Sequence, residues 1–190
     1  DIVGGNTAVL IDRDENNATR RKYYGRAGEY RLKPYGVEYR VYSNFWLRHY
    51  VLWSMASGLL RNAVGIYRAG LADDLLKRFD MKKVREAINT NNKEMAMENF
   101  LIYRKFLIDN AIFTGSGIDI SNVDNFLVWA RKEDPIAELA PNMEATYTSW
   151  NDKRYDGADG FEKFINKSAL DEDEVNEILE DYSEDEEDDY

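Results

Sequence analysis

The chemistry of this chain is concentrated in residues 20–47, RRKYYGRAGEYRLKPYGVEYRVYSNFWL. Three cations in a row, Arg20, Arg21 and Lys22, lead into Tyr23, Tyr24, Gly25, Arg26, Ala27 and Gly28. Glycines three apart permit positive φ and let backbone N–H groups converge on an anion, so this arginine-flanked GxxG is a candidate phosphate cradle. A tight turn with solvated arginines would use the same residues. Further along, Lys33, Pro34, Tyr35 and Gly36 form a turn sequence in which proline fixes φ ahead of a flexible glycine. Residues 37–42 then alternate as a strand. On a period of two, Glu38, Arg40 and Tyr42 share one face, and Val37, Tyr39 and Val41 the other. A carboxylate can hold Mg²⁺, and a guanidinium can grip a phosphoryl group with two N–H donors. The same two charges also make a plain structural ion pair.

Other reaction chemistries find little support. His49 is the only histidine, and beside Trp46, Tyr50 and Trp53 it reads as a packed imidazole. A Ser-His-Asp triad or a multi-histidine metal site is therefore not expected. Gly115, Ser116 and Gly117 lack the third glycine of a dinucleotide fingerprint and the lysine of a P-loop. Aligning Gly157 with the glycine of a calcium loop puts Arg154 and Lys163 where oxygen ligands belong, which rules out an EF-hand. The chain has no cysteine, so disulfides and thiolate zinc sites are excluded.

Charge is unevenly spread. Residues 171–190 carry 13 acidic and no basic side chains, whereas the rest holds 25 basic against 23 acidic ones. The net charge of -11 thus belongs to an acidic terminus attached to a near-neutral body. Within that body, residues 1–48 are locally basic. A hydrophobic content of 44% and an aromatic content of 13% over 190 residues suit a folded core. No apolar run approaches the roughly 20 residues of a membrane span, and no signal peptide is visible. The first residue is Asp1 rather than an initiator Met, which leads us to expect a processed chain or a piece of something longer.

The supporting elements read mostly as helices. The short run Ala8, Val9, Leu10, Ile11 suits a buried strand, followed by an Asn-rich loop over 12–19. Ser43 or Asn44 is placed to cap the helix after the focal stretch. That helix, 47–69, shows the stripe Leu52, Met55, Leu59, Ala63 and Ile66, with Gly58 and Gly65 allowing close packing. Two shorter helices over 71–92 break around Asp80. The longest helix, 94–113, is apolar nearly all round, as for a buried element or half of an interface. Ser121 is the expected cap of a helix over 122–132. Phe161, Phe164 and Ile165 suggest another short helix. Beyond it, Asp171 and Glu174 precede Val175, Ile178, Leu179 and Tyr182, the pattern of an acidic amphipathic helix. The expected class is α+β, mostly helical.

Taken as a string, the focal stretch closely resembles the phage-encoded amidoligases, carboxylate–amine ligases with a glutamine-synthetase-like fold. The resemblance rests on Tyr24, Gly25, Ala27, Gly28 and Arg31, then on Gly36, Val37, Glu38, Tyr39 and Arg40, then on Ser43, Asn44 and Trp46. It covers roughly residues 1–70. It implies a remnant of an antiparallel glutamine-synthetase-like sheet followed by a helical region, and a division into residues 1–70 (the C-terminal amidoligase-like segment), 71–170 (helical) and 171–190 (acidic helix and tail). It further implies ATP-dependent amide formation through an acyl phosphate, with ATP and Mg²⁺ as cofactors. Glu38 would be a metal ligand and Arg40 the phosphoryl clamp. Arg20, Arg21, Arg26 and Arg31 would hold nucleotide phosphates or substrate carboxylates.

The family pattern also includes an earlier half with paired acidic residues on one strand and histidines on another, which this sequence lacks. Expected partners are therefore other protein chains: that missing half, virion proteins, or further copies of this one. The alternative to a ligase is a non-catalytic phage virion or assembly protein derived from the same fold, docking through its helices and acidic tail. Nucleic-acid binding is not expected, because no aromatic-basic platform accompanies the GxxG and the net charge is negative. The implied location is the host cytoplasm or the phage particle.

Overall fold

A computed structural model describes residues 1–12, 14, 17–110, 118–146, 148 and 150. Eight helices and one hairpin occupy the described residues: α1 (Gly4–Ile11), α2 (Asn17–Arg20), β1 (Tyr30–Lys33), β2 (Gly36–Tyr39), α3 (Tyr50–Arg68), α4 (Ala72–Leu76), α5 (Met81–Thr90), α6 (Lys93–Asp109), α7 (Ser121–Ala130) and α8 (Pro135–Leu139). A 3₁₀ turn, Phe45–Leu47, precedes α3. The protein is thus α+β and mostly helical, its sheet reduced to the antiparallel pair β1–β2. The calls on 161–165 and 171–182 lie outside the described residues.

One expectation fails at the start of the chain. The run Ala8, Val9, Leu10, Ile11 is helical, not extended, and it forms α1 at the centre of the core. A short apolar run has no visible period, so a buried strand and a helix buried all round look alike in sequence. Here α1 packs on α6, α5, α7 and α3, and all its side chains after Gly4 are buried. Burying Val9, Leu10 and Ile11 contributes about 1.5–3 kcal/mol each. Its polar residues are satisfied internally. Asn6 Nδ2 donates to Ile2 O at 2.8 Å, Thr7 Oγ1 to Val3 O at 2.8 Å, and Asn99 Nδ2 donates to Asn6 Oδ1 at 3.2 Å. Gly5 admits Ile88 of α5, whose Cδ1 would lie 2.3 Å from a Cβ at that position.

The periodic helices are found where the stripes place them, with different caps. In α3, Leu52, Met55, Leu59 and Ile66 are buried, and Gly58 lets Asn122 of α7 approach to 2.3 Å from where a Cβ would stand. Its N-terminus starts at Tyr50 and is capped by His49, whose Nδ1 accepts from Val51 N at 3.2 Å. Neither Ser43 nor Asn44 caps it; Ser43 Oγ instead accepts from Phe45 N at 3.4 Å in the 3₁₀ turn. Likewise Ser121 is the first residue of α7, and Asp119 Oδ1 accepts from both its N–H and its hydroxyl. A carboxylate two residues earlier outcompetes the hydroxyl because it adds charge at the positive helix end. Helices α5, α6 and α8 are capped by Asp80, Asn92 and Asp134.

Candidate functional site

The hairpin sets the geometry of the focal stretch. Its register pairs Tyr30 with Tyr39, Arg31 with Glu38, Leu32 with Val37 and Lys33 with Gly36. The ladder stops at Tyr39 rather than running to Tyr42, because the chain then turns inward. Val41 is buried, and the Tyr42 hydroxyl meets Thr7 Oγ1 of α1 at 3.1 Å. Arg40 still donates its backbone N–H to Glu29 O at 3.0 Å, which keeps it in line with β2. Glu38 and Arg40 therefore point the same way, with Nε 3.8 Å from Oε1.

Glu38 stands among three cations. Arg31, directly across the ladder, donates through Nε at 3.1 Å and Nη2 at 2.6 Å. Lys33 Nζ lies 3.6 Å away. The hydrogen bond from Arg31 is the main cause holding the Glu38 carboxyl below its ordinary titration range, and Glu38 in turn pushes Arg31 up. Both side chains are largely exposed, so water screens much of this attraction.

Arg40 is held more firmly. Its guanidinium lies over the Tyr24 ring, 3.7 Å from the centroid, and Nη1 donates to Glu29 Oε1 at 2.8 Å. The other oxygen of Glu29 accepts the backbone N–H groups of Gly25 at 2.6 Å and Arg26 at 3.2 Å. The GxxG turn therefore is an anion cradle, with Gly25 at φ 80° and Gly28 at φ 77°, but its anion is the chain's own Glu29. Glu29 and Tyr24 are the site residues that sequence reasoning missed. The available signal was one acidic side chain four residues beyond Gly25 within a basic stretch.

The remaining candidate cations divide. Arg20 approaches the Tyr24 ring at 5.9 Å and donates Nε to Asn17 Oδ1 at 3.3 Å. Arg21 points inward, 2% exposed, with Nη1 donating to Gly25 O at 3.2 Å. Burial, with the neighbouring Arg20 adding to it and Asp12 opposing, pushes the Arg21 guanidinium down to about 10. Arg20 Nη2, Arg21 Nε and Nη2, and Arg40 Nε are buried without a hydrogen-bond partner. Arg26 gives only its backbone N–H to the turn, and its side chain is exposed.

Two cavities flank these groups. One of about 540 Å³ has Tyr24, Glu38, Tyr39 and Arg40 along one side and an apolar wall including Leu60 and Leu76 along the other. A second, of about 450 Å³, is more polar and includes Asp12, Arg20, Ser43, Arg48 and Asp134. The Ser43 hydroxyl bonds to Asp12 Oδ2 there.

These arrangements fit an anion better than a metal ion. Four buried guanidinium N–H groups without acceptors, three of them on Arg20 and Arg21, are donors of the kind a phosphate or carboxylate satisfies. Glu38 already has guanidinium or ammonium groups at both oxygens, and among the described residues no three His, Asp or Glu side chains converge. As placed, the described residues do not make a Mg²⁺ site. No described helix is long and apolar enough to cross a membrane.

The family model described as phage phiEco32-like COOH.NH2 ligase-type 2 matches residues 7–107. That span is just over half of the chain. It takes in most of α1, the glycine turn, the hairpin and the helices through most of α6, well past the roughly 70 residues that the motifs cover. No curated protein and no solved structure matches the chain. With the matched span holding both the Glu29-filled turn and the Glu38–Arg40 strand, the chain belongs to the phage phiEco32-like COOH.NH2 ligase-type 2 family.

Proposed function

We propose that this chain is the anion-gripping part of an ATP-dependent carboxylate–amine ligase. In that reaction the γ-phosphoryl group of ATP passes to a carboxylate and ADP leaves. An amine then attacks the acyl carbon, inorganic phosphate departs with the C–O bond electrons, the amine loses a proton, and the amide remains. The protein's part is to neutralise charge on the phosphoryl oxygens and to hold them in line. Arg40 is the clamp. The observation that carries this reading is its seat: stacked on Tyr24 at 3.7 Å, fixed by Glu29 at 2.8 Å and lining the larger cavity. Such a seat limits the rotamers that binding must freeze, so less entropy is lost per contact formed.

Glu38 serves in this reading by holding Arg31 and Arg40 on one side of β2. Arg20 and Arg21 supply further donors behind the turn, and Arg26 and Arg31 add positive field at the surface. Carboxylates for any nucleotide-bound magnesium would have to come from residues other than those described.

One observation favours a second reading, a non-catalytic virion or assembly protein of the same descent. Glu29, Arg31, Glu38 and Arg40 are already mutually paired, as a purely structural network would be.

Titration calorimetry with ATP separates the two. The ligase reading expects saturable binding that weakens at least tenfold in both Arg40→Ala and Arg40→Lys, because lysine keeps the charge but not the planar fork. Affinity untouched by Arg40→Lys would remove the clamp, and no binding to the unaltered chain would favour the structural reading.

A further inference from the structure

Helix α3 carries a second apolar surface, which shares only Leu60 with the wall of the larger cavity. Trp53, Leu60, Val64 and Tyr67 recur at helical spacing and fall within a narrow arc, and all four are exposed, Val64 by 51% and Tyr67 by 77%. Arg61 and Arg68, seven residues apart, stand exposed along one edge of this stripe. The buried face of α3, through Leu52, Met55, Leu59 and Ile66, lies along the other edge of the stripe from the two arginines. Isolated exposed apolar residues are ordinary, but four aligned over about 21 Å, at 1.5 Å per residue, form a continuous strip of the sort that marks an interaction site.

The occupant must present an apolar stripe edged with negative charge. The chain itself contains one. On helical spacing, residues 171–182 would place Val175, Ile178, Leu179 and Tyr182 within one arc, edged by Glu174 and Asp181. At 1.5 Å per residue that segment would extend about 16 Å, which the α3 stripe can accommodate. The described chain also ends beside the right helix. Trp150 lies 5.8 Å from Tyr50 and 6.2 Å from Trp53, ring centroid to centroid, and its Nε1 donates to Leu47 O at 3.1 Å. From there the 20 residues of 151–170 can span at most about 66–72 Å when extended, more than twice the length of α3.

We infer that the exposed stripe of α3 is the docking site for residues 171–182 of the same chain, with Val175, Ile178, Leu179 and Tyr182 on Trp53, Leu60, Val64 and Tyr67, and the acidic flank against Arg61 and Arg68. The apolar contact supplies the affinity, and the charges set the direction and discourage other occupants. This inference is independent of whether the chain binds ATP.

The absence of cysteine makes the test direct. Val64→Cys is paired with Ile178→Cys in the full chain, and the pair is oxidised at low micromolar concentration. A disulfide needs Cβ atoms about 3.5–4.5 Å apart, so it reports contact rather than loose proximity. The control pair is Val64→Cys with Glu180→Cys, which helical spacing over 171–182 would place on the side away from Ile178. Circular dichroism of both variants establishes that each is folded like the parent. The expected result is an intramolecular bond forming at least tenfold faster for the Ile178 pair than for the control, and loss of that advantage when Leu179→Ser is added. Equal rates for the two pairs in folded protein would overturn the inference. So would bonds that form only between chains when singly substituted proteins are mixed, which would assign the stripe to a second copy.

Discussion

Glu29 Oε2 accepts the backbone N–H of Gly25 at 2.6 Å, so the glycine turn is an anion cradle already occupied by a side chain of the same loop. The same carboxylate fixes Arg40 through its other oxygen at 2.8 Å. One residue thus closes the turn and aims the guanidinium.

Replacing that carboxylate with its neutral isostere is therefore informative. Glu29→Gln keeps the shape and removes the charge that two N–H groups and a guanidinium share. It should cost about 1.5–3 kcal/mol in urea unfolding, the range for hydrogen bonds to a charged group. Inorganic phosphate should then raise the melting temperature of the variant more than that of the parent, because the cradle is left without its anion. Equal phosphate responses would mean that the turn has no affinity for external anions.

Glu38 should titrate below an ordinary glutamate, because Arg31 hydrogen-bonds its charged form. A folded-state value below the unfolded one means that the pair stabilises the hairpin above the unfolded value. That contribution disappears as pH falls through the folded one. Carboxyl-carbon NMR across pH 2 to 6 checks this, and Arg31→Gln should return the Glu38 midpoint toward the usual range. A midpoint that Arg31→Gln leaves unmoved would place the cause elsewhere.

Arg21 is the test of stability against binding. Its guanidinium is buried, held to one hydrogen bond with Gly25 O, and pushed down to about 10 by burial. Two of its buried N–H groups lack an acceptor, a desolvation cost that an apolar side chain of similar length does not carry. Arg21→Met should therefore melt no lower than the parent while its affinity for ATP or phosphate falls. A lower melting temperature with unchanged affinity would show Arg21 to be structural alone.

How far the sequence foretold this arrangement depends on the scale of the signal. Helices α3, α5, α6 and α7 were legible because each repeats an apolar stripe over ten or more residues. The shared direction of Glu38 and Arg40 followed from strand periodicity alone, and it holds although the ladder ends at Tyr39. Helix α1 was illegible because seven of its eight residues are buried, and a run buried all round carries no period. The caps went wrong where two polar neighbours compete, as Asp119 with Ser121, since spacing does not rank them. Glu29 was missed for a related reason. Its role depends on a loop folding back four residues to Gly25, and a turn's path is set by its glycine dihedrals rather than by any repeat. The pairing of Arg40 with Tyr24 is of the same kind, a contact across a loop with no sequence period.

The central position of α1 bears on how the protein assembles in time. This helix holds residues 4–11, yet its main partners are α5 and α6, and Asn6 bonds to Asn99, 93 positions along the chain. Closing so long a loop costs entropy before any contact compensates it, so α1 cannot settle while the chain is still short. Emerging from a ribosome, its apolar residues must wait for nearly a hundred more before a core exists to receive them. Until the sixth helix captures the first, those apolar residues stay exposed to aggregation.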